Sequence, residues 1–98
     1  MNILINNAGI VQGKRILDLN EGMAHKTMAV NYESNLWLVR EFVPDMVAKD
    51  EGQVVFISSV TAIQTNIAMG DYSASKAAQH ALADTLRLEL RHTNVITT

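Results

Sequence analysis

Gln53-Val54-Val55-Phe56-Ile57-Ser58 is an almost unbroken run of β-branched and aromatic residues in the middle of this chain. A continuous apolar run of this length predicts a strand of a parallel sheet that is covered by helices on both faces. Ile3-Leu4-Ile5 predicts a second strand of the same kind, buried on both faces, which ends in the turn Asn6-Asn7-Ala8-Gly9. Residues 94–98, Asn-Val-Ile-Thr-Thr, look like the opening of a third strand.

A long helix is predicted between the first two strands, from about residue 21 to about residue 49. Asn20 or Asp18 can cap its start, because a short polar side chain accepts a hydrogen bond from the unpaired N–H groups of a first turn. Pro44 is expected to bend the helix or loosen its last turns, and Gly52 to end the segment. An apolar stripe follows the helix at spacings of three and four residues: Leu36, Val39, Val43 and Met46 or Val47.

A second helix is predicted from about residue 71 to residue 91, and residues 10–19 and 60–69 are expected to be loops. The order strand, helix, strand, helix, strand is typical of a doubly wound, Rossmann-type α/β sheet with parallel strands and right-handed crossovers. Ligands of such sheets bind beyond the carboxyl ends of the strands. The turn at residues 6–9 and the pair Ser58-Ser59 are therefore expected to lie near one another.

The composition is that of one small globular domain. The chain has 98 residues, of which 48% are hydrophobic and 18% charged, and its formal net charge is −2. This balance does not favour nucleic acid as a partner. Cysteine is absent, which excludes disulfides, thiolate metal sites and a cysteine nucleophile. No apolar run approaches the roughly 20 residues that span a bilayer, and no signal peptide is recognisable, so we expect a cytoplasmic location.

Tyr72 and Lys76 stand four residues apart near the start of the predicted second helix. Four residues rise about 6 Å and turn by about 400°, so both side chains lie on one face. A free phenol has a pKa of about 10 and is a poor base at neutral pH, whereas a nearby ammonium stabilises its charged form. A phenol in that setting can exchange a proton with an alcohol or carbonyl oxygen. Ser59, at the end of the neighbouring strand, can hydrogen-bond the same oxygen.

Alcohol oxidation also requires hydride transfer, for which protein side chains have no reagent, so a nicotinamide cofactor is implied. A lone Tyr-x-x-x-Lys is common on helices, but here three further motifs precede it in the sequence. Asn6-Asn7-Ala8-Gly9 follows the first strand, Asn31 lies in the first helix, and Tyr72-Ser73-Ala74-Ser75-Lys76 begins 13 residues after Ser59. In order and spacing these residues resemble the short-chain dehydrogenase/reductase family, and the resemblance spans the whole chain.

The resemblance implies a role for each motif residue. Tyr72 is the implied acid/base and is also among the implied cofactor-binding residues. Ser59 would steady the developing charge on the substrate oxygen. Lys76 would favour the phenolate form of Tyr72 and hold the ribose hydroxyls of the nicotinamide. Asn31 would hold a water in a proton relay that reaches Lys76. The first turn would line NAD or NADP, mainly through the backbone of Asn7, Ala8 and Gly9.

Simpler interpretations of several residues stay open. Asn6 and Asn7 are also common turn residues, and Asn31 is compatible with a polar position on an exposed helix face. Ser58 is more typical of a structural serine, since the separation of 13 residues selects Ser59. The three histidines follow no ligand spacing, and no acidic cluster suggests a metal.

The family's glycine-rich phosphate loop, Thr-Gly-x-x-x-Gly-x-Gly, does not occur in residues 1–98. We therefore expect these residues to be the central, catalytic part of a single NAD(P)-binding domain that lacks its N-terminal βαβ units and is truncated at both ends. A non-catalytic remnant that acts as a helix-mediated interaction module is the alternative, and the coding sequence upstream of Met1 would distinguish the two. A sugar-nucleotide epimerase or dehydratase also uses Tyr-x-x-x-Lys, but the Asn-Asn-Ala-Gly turn disfavours it.

The implied activity is the interconversion of an alcohol and a carbonyl. Residues 13–19, Gly-Lys-Arg-Ile-Leu-Asp-Leu, and residues 86–91, Leu-Arg-Leu-Glu-Leu-Arg, resemble the retinol and hydroxysteroid dehydrogenase branch, which implies a lipophilic substrate. Oxoacyl carrier-protein reductases of bacterial type share the core motifs and remain an alternative. The resemblance also implies a homo-oligomer that forms through the two long helices.

The 98-residue chain on its own is expected to bind no dinucleotide tightly. Glycine-rich turns and helix N-termini supply the phosphate site of dinucleotide-binding folds, and this stretch of sequence has no such turn. Isothermal titration calorimetry with NADH and NADPH measures the affinity. A dissociation constant of about 1 µM or tighter would contradict the expectation.

Overall fold

The computed structural model describes residues 2–57 and 66–98, and its centre is a sheet of three parallel strands. Strand β1 is Ile3–Asn6, β2 is Gly52–Phe56 and β3 is Val95–Thr97. The strands lie in the order β1-β2-β3, and Val54 in the central strand pairs with Leu4 on one side and Thr97 on the other. The predicted α/β class, in which parallel strands alternate with helices, is therefore confirmed.

Helices form the two connections between the strands. Helix α1 is Glu21–Met28, α2 is Ser34–Lys49 and α3 is Gly70–Glu89. A π-helical turn of five residues, Ala29–Glu33, joins α1 to α2, so the predicted helix over residues 21–49 is one helical segment with a wider turn inside it. Asn20 caps the start, since its Oδ1 accepts a hydrogen bond from the N–H of Met23 at 2.8 Å. One turn of 3-10 helix, Ile16–Asp18, interrupts the loop expected at residues 10–19.

The end of α2 differs from the prediction. The helix continues through Pro44 to its last residue, so its final turns are retained. Asp50, rather than Gly52, takes the left-handed conformation that ends the helix, with a φ of 53°. Aspartate tolerates this conformation because its short side chain finds local partners, and here both carboxylate oxygens accept hydrogen bonds from Asn94, at 3.0 and 2.8 Å. The prediction that Gly52 ends the segment is therefore wrong.

Both long helices pack against the same face of the sheet. The core on that face contains apolar residues of the strands, α2 and α3: Leu4, Val39, Val43, Met46, Val54, Leu86 and Val95. On the opposite face Ile3 is 56% exposed, Ile5 58% and Ile96 61%. The prediction that β1 is buried on both faces is therefore wrong for the described residues. Two crossovers of the same hand that step in one direction across a sheet place both helices on one side.

The remaining boundaries agree with the sequence to within two residues. Helix α3 begins one residue before the predicted start and ends two residues before the predicted end, a difference that is usual at fraying helix ends. Ser58, Ser59 and the first part of the loop predicted at residues 60–69 lie outside the described residues. Among the helices that the structure does describe, none has the length and apolar character needed to cross a membrane.

Gly52→Ala is expected to lower the free energy of unfolding by about 3 kcal/mol. Gly52 has a φ of 148°, and a Cβ there would lie 2.7 Å from both Cγ and Sδ of Met46, a fully buried side chain that would have to shift. Gly13→Ala is the matched control, because its φ of 68° is also left-handed but no atom lies within 4 Å of the added Cβ.

Urea denaturation of the two variants checks this expectation. Gly13→Ala should lose only the backbone strain, about 1 kcal/mol. Equal losses in the two variants would show that Met46 moves aside without cost.

Candidate active site

The carboxyl ends of β1 and β2 and the start of α3 meet at one edge of the sheet, as the parallel order predicts. Asn6 is the last residue of β1 and is 1% exposed, so it belongs to the strand and not to the turn. Its carbonyl accepts a hydrogen bond from the N–H of Ile57 at 3.1 Å, which ties together the ends of the two strands. A Cβ on Gly9 would lie 3.5 Å from Lys76 Nζ and 3.7 Å from Asn31 Oδ1. Segments distant in sequence therefore converge around the Lys76 side chain.

Tyr72 and Lys76 share one face of α3, one turn apart. Lys76 Nζ lies 5.8 Å from the centre of the Tyr72 ring, close enough for the ammonium to interact with the aromatic face. Tyr72 is partly exposed, whereas Lys76 is almost entirely buried. The arrangement thus places a buried cation beside a phenol that solvent or a ligand can reach.

The ammonium of Lys76 is held by two oxygen atoms. Nζ donates to the main-chain carbonyl of Ile57 at 3.2 Å and to Gln79 Oε1 at 3.3 Å. A charged group that leaves water needs such partners, because unpaired burial of a charge is very costly. Since an ammonium has three N–H bonds, these two contacts leave one donor that no residue in the described ranges 2–57 and 66–98 occupies.

Asn31 is the centre of a buried hydrogen-bond network. Its side chain is fully buried, which excludes the exposed helix position considered above. Oδ1 accepts from the N–H of Ile10 at 2.7 Å, while Nδ2 donates to the Ile10 carbonyl at 2.9 Å and to Ser75 Oγ at 2.9 Å. Ser75 Oγ in turn donates to the carbonyl of Tyr72 at 2.7 Å. One amide therefore fastens the loop after β1 to the first turns of α3.

The π-helical turn changes the backbone around Asn31. The N–H of Ser34 bonds to the carbonyl of Ala29, five residues earlier, and not to the usual partner four residues earlier. The Asn31 carbonyl accepts a hydrogen bond from Asn35 Nδ2 at 3.0 Å, and Asn35 is fully buried. Both N–H bonds of Asn31 Nδ2 are donated to protein atoms, so the side chain has no donor left for the predicted relay water. That water would have to donate to the main-chain carbonyl of Asn31. The relay stays a prediction.

A second contact holds the start of α3 to α1. Thr27 Oγ1 donates to Asp71 Oδ2 at 2.8 Å, and the other carboxylate oxygen, Asp71 Oδ1, accepts from the N–H of Tyr72 at 2.8 Å. Thr27 is fully buried. An acidic residue is also favoured in the first turn of a helix, because it faces unpaired N–H groups. Through Asp71, this contact ties the N–H of Tyr72 to α1.

The remaining predicted site residues divide into two groups. Asn7 and Ala8 are exposed at the same edge of the sheet as Gly9, where a ligand can reach their backbone. Ser59 lies outside the described residues, so its contact with the substrate oxygen stays a prediction.

Four residues at this site carried no functional prediction: Thr27, Asn35, Asp71 and Gln79. Two of them had a detectable signal. Asn35 follows Asn31 by four residues and Gln79 follows Lys76 by three, which places each on the helix face of its partner. The pairing of Thr27 with Asp71 spans 44 residues and leaves no local pattern to read.

Comparison with known proteins shows extensive similarity. The sequence model of the family described as short chain dehydrogenase matches residues 1–98. Epidermal retinol dehydrogenase 2 of Homo sapiens is 40% identical over 89 residues, which are 91% of this chain and 29% of that protein. Dehydrogenase RED3 of Cochliobolus heterostrophus is 36% identical over 92% of this chain and 46% of its own length. The chain thus spans less than half the length of these curated relatives.

Solved structures show the same arrangement. Serine dehydrogenase from Escherichia coli superposes with a TM-score of 0.95 at 23% identity, over 99% of this chain and 45% of that chain. A 4-hydroxyisoleucine dehydrogenase complexed with NADH gives a TM-score of 0.91 at 30% identity, over 96% of this chain and 42% of that chain. The three-stranded sheet and its helices are therefore a part of a Rossmann-type sheet, as predicted.

Asn31→Ala is expected to accelerate amide hydrogen exchange at Ile10 by at least about tenfold, because the variant removes the acceptor of that N–H. The free energy of unfolding should fall by about 3 kcal/mol, since buried partners in the loop and in α3 are left unpaired.

Asn20→Ala is the matched control for this measurement. It removes the cap of α1, with a cost of about 1 kcal/mol. The Asn20 side chain bonds to the N–H of Met23, whereas the acceptor of the Ile10 N–H is Asn31. NMR-detected exchange distinguishes the two variants. Unchanged exchange at Ile10 in Asn31→Ala would show that Asn31 does not fasten the loop.

Proposed function

Because this chain belongs to the short-chain dehydrogenase family, we propose that it forms the reaction centre of an NAD(P)-dependent oxidoreductase that interconverts an alcohol and a carbonyl. The observation that carries the proposal is the position of Lys76. Its buried ammonium lies 5.8 Å from the Tyr72 ring and against the backbone of Gly9. A phenol, a cation and an open stretch of backbone are thus combined at the carboxyl edge of a parallel sheet, where ligands of such folds bind.

The residues present fit the nicotinamide half of a dinucleotide. Gly9 leaves the space beside Lys76 Nζ open where a larger residue would place a side chain. The third N–H of the ammonium remains for a ribose hydroxyl, since Ile57 and Gln79 occupy the other two. When bound, the nicotinamide supplies the hydride that protein side chains cannot provide.

Tyr72 is proposed to move the proton. Its phenol lies at the partly exposed start of α3, where it can donate to, or accept from, the oxygen of a substrate. The Lys76 ammonium lies 5.8 Å from the centre of the same ring, one helical turn away. Asp71 and Ser75 hold the backbone of Tyr72 at its N–H and its carbonyl, which keeps the phenol in one position. Ser59 is proposed to hydrogen-bond the same substrate oxygen.

The cofactor is proposed to be NAD or NADP. Among the structural relatives, 4-hydroxyisoleucine dehydrogenase was solved with NADH, and a closed form of serine dehydrogenase with NADP+. The parts of the fold that separate the two cofactors by charge lie after the second strand of a complete Rossmann domain. Residues 1–98 therefore support the nicotinamide end of the proposal and leave both cofactors open.

The substrate is proposed to be a lipophilic alcohol or carbonyl compound. A groove of about 460 Å³ lies beside the start of α3, lined by two short segments, residues 15–18 and residues 66–70. Ile16, Leu17 and Ile67 on its walls are 72%, 97% and 76% exposed. Gly70 lines the groove and precedes Tyr72 by two residues on α3, and the substrate is proposed to lie in the groove with its oxygen directed to the phenol. Similarity to retinol dehydrogenases supports the same substrate class.

A homo-oligomer is proposed to form through the long helices. A groove of about 400 Å³ opens outwards beside α3 and is lined by Tyr32, Ala78, Ala81, Leu82 and Thr85. Trp37 on α2 is 55% exposed and Leu88 on α3 is 61% exposed. Small and apolar residues on the outer faces of two helices suit the symmetric packing of a second copy.

Tyr72→Phe is expected to lower kcat by about 10³-fold or more, because it removes the proton that the phenol exchanges and leaves the ring in place. Nicotinamide binding should stay within about twofold of the wild type, since the hydroxyl is proposed to contact the substrate. The protein expressed from its complete coding sequence is assayed by the absorbance of reduced nicotinamide, with a retinoid and a short-chain alcohol as alternative substrates.

Tyr32→Phe is the matched control for this substitution. It removes a phenol hydroxyl from the outer groove beside α3 and should leave kcat unchanged. Full activity in Tyr72→Phe would exclude the proposed mechanism.

A further inference from the structure

Gln79 is a buried polar residue that the proposed reaction leaves without a role. It lies on α3 one turn after Lys76 and is 1% exposed. Its Oε1 accepts a hydrogen bond from Lys76 Nζ at 3.3 Å. Its Nε2 is buried and has no hydrogen-bond partner among residues 2–57 and 66–98. Half of the amide is therefore satisfied by the catalytic-site cation, and the other half is unsatisfied.

The orientation of the Gln79 amide follows from the charge beside it. An ammonium has donors and no acceptor, so only the oxygen of the amide can face it. Turning the amide would place Nε2 against Lys76 and lose the hydrogen bond. The unpaired Nε2 costs folding free energy, since a buried donor without a partner forfeits its hydration. An apolar side chain of similar length would avoid that cost but would leave the buried ammonium of Lys76 with one acceptor fewer, so the oxygen serves Lys76.

We propose that Gln79 is a positioning residue that fixes the direction of the Lys76 ammonium. The proposal rests on the proposed function, in which Lys76 holds the ribose of the nicotinamide. The Ile57 carbonyl and Gln79 Oε1 contact Nζ from two elements, the end of β2 and the body of α3. With two of the three N–H bonds fixed, the direction of the third is determined. Without Gln79, the ammonium can rotate about the bond to Ile57, and the third N–H is no longer directed at one place.

Gln79→Met separates this role from packing. Methionine is unbranched, has a similar length and retains no strong acceptor. The KM for the dinucleotide should rise about tenfold. Without Gln79 Oε1 the third N–H of Lys76 is no longer directed at the ribose, and that charge-assisted hydrogen bond is weakened. The KM for the alcohol substrate should stay within about twofold, since Gln79 acts through Lys76 and not through the substrate. The melting temperature should change by only a few degrees, because the buried ammonium loses one partner while the unpaired Nε2 is removed as well.

Thr97→Val is the matched control. Thr97 Oγ1 is another buried group without a partner in the part of the chain that the structure describes, and it lies on β3. The control should leave both KM values unchanged and should not lower the melting temperature. A variant that merely unfolds part of the protein lowers the active fraction, which reduces kcat and leaves both KM values alone. An unchanged dinucleotide KM in Gln79→Met therefore overturns the proposal, whatever happens to kcat.

A second readout does not depend on turnover. In ¹⁵N-lysine-labelled protein without cofactor, a hydrogen-bonded ammonium that exchanges slowly with water gives a resolved Nζ–Hζ signal. The Lys76 signal, assigned by its loss in Lys76→Arg, should broaden or shift in Gln79→Met and stay in place in Thr97→Val. A Lys76 signal that is absent from the wild type, or unmoved in Gln79→Met, overturns the proposal.

The two readouts also separate this proposal from the proposed function. If the wild-type protein shows no dinucleotide-dependent turnover, the proposed function fails. The ammonium signal then decides by itself whether Gln79 holds Lys76.

Discussion

The side-chain amide of Asn31 is the contact on which the site depends. It satisfies both main-chain groups of Ile10 and also the hydroxyl of Ser75, so a single buried residue spans the loop after β1 and the start of α3. A buried polar group that loses its partner costs about 1–3 kcal/mol, so the loop and the start of α3 both depend on this one side chain. The positions of the loop after β1 and the start of α3 relative to one another are therefore set by a side chain of the π-helical turn.

Topology explains why such a contact can exist. Two crossovers in the same direction put α2 and α3 side by side on one face of the sheet, and the π-helical turn packs against α3. The carboxyl ends of β1 and β2 then open towards the first turns of α3, where Tyr72 and Lys76 lie. The polar residues buried around Tyr72 and Lys76 lower the stability of the fold in order to form the site. A buried cation and several buried amides occupy positions that apolar side chains would fill at lower cost.

Periodicity was sufficient to predict the three strands, the extent of α3 and the shared face of Tyr72 and Lys76. These features depend on residues close in sequence, whose pattern is visible directly. Three features were not predictable in this way. The left-handed turn at Asp50 depends on Asn94, the exposure of Ile3 and Ile5 depends on which face the helices cover, and the π-helical turn has no distinct composition. The first two are decided by partners far along the chain, and so is the network around Asn31.

The π-helical turn also fixes the phase of the long helix. A π-turn accommodates one residue more than an α-turn, and each residue of an α-helix is rotated by about 100° from the one before. A π-turn therefore absorbs its extra residue, and the helical segments on either side keep nearly the phase that they would have in a regular helix. Thr27, before the turn, contacts Asp71, whereas Val39 and Val43, after the turn, pack against the sheet. Both sets of contacts are thus retained, while the wider turn carries Asn31, whose side chain joins the loop after β1 to α3.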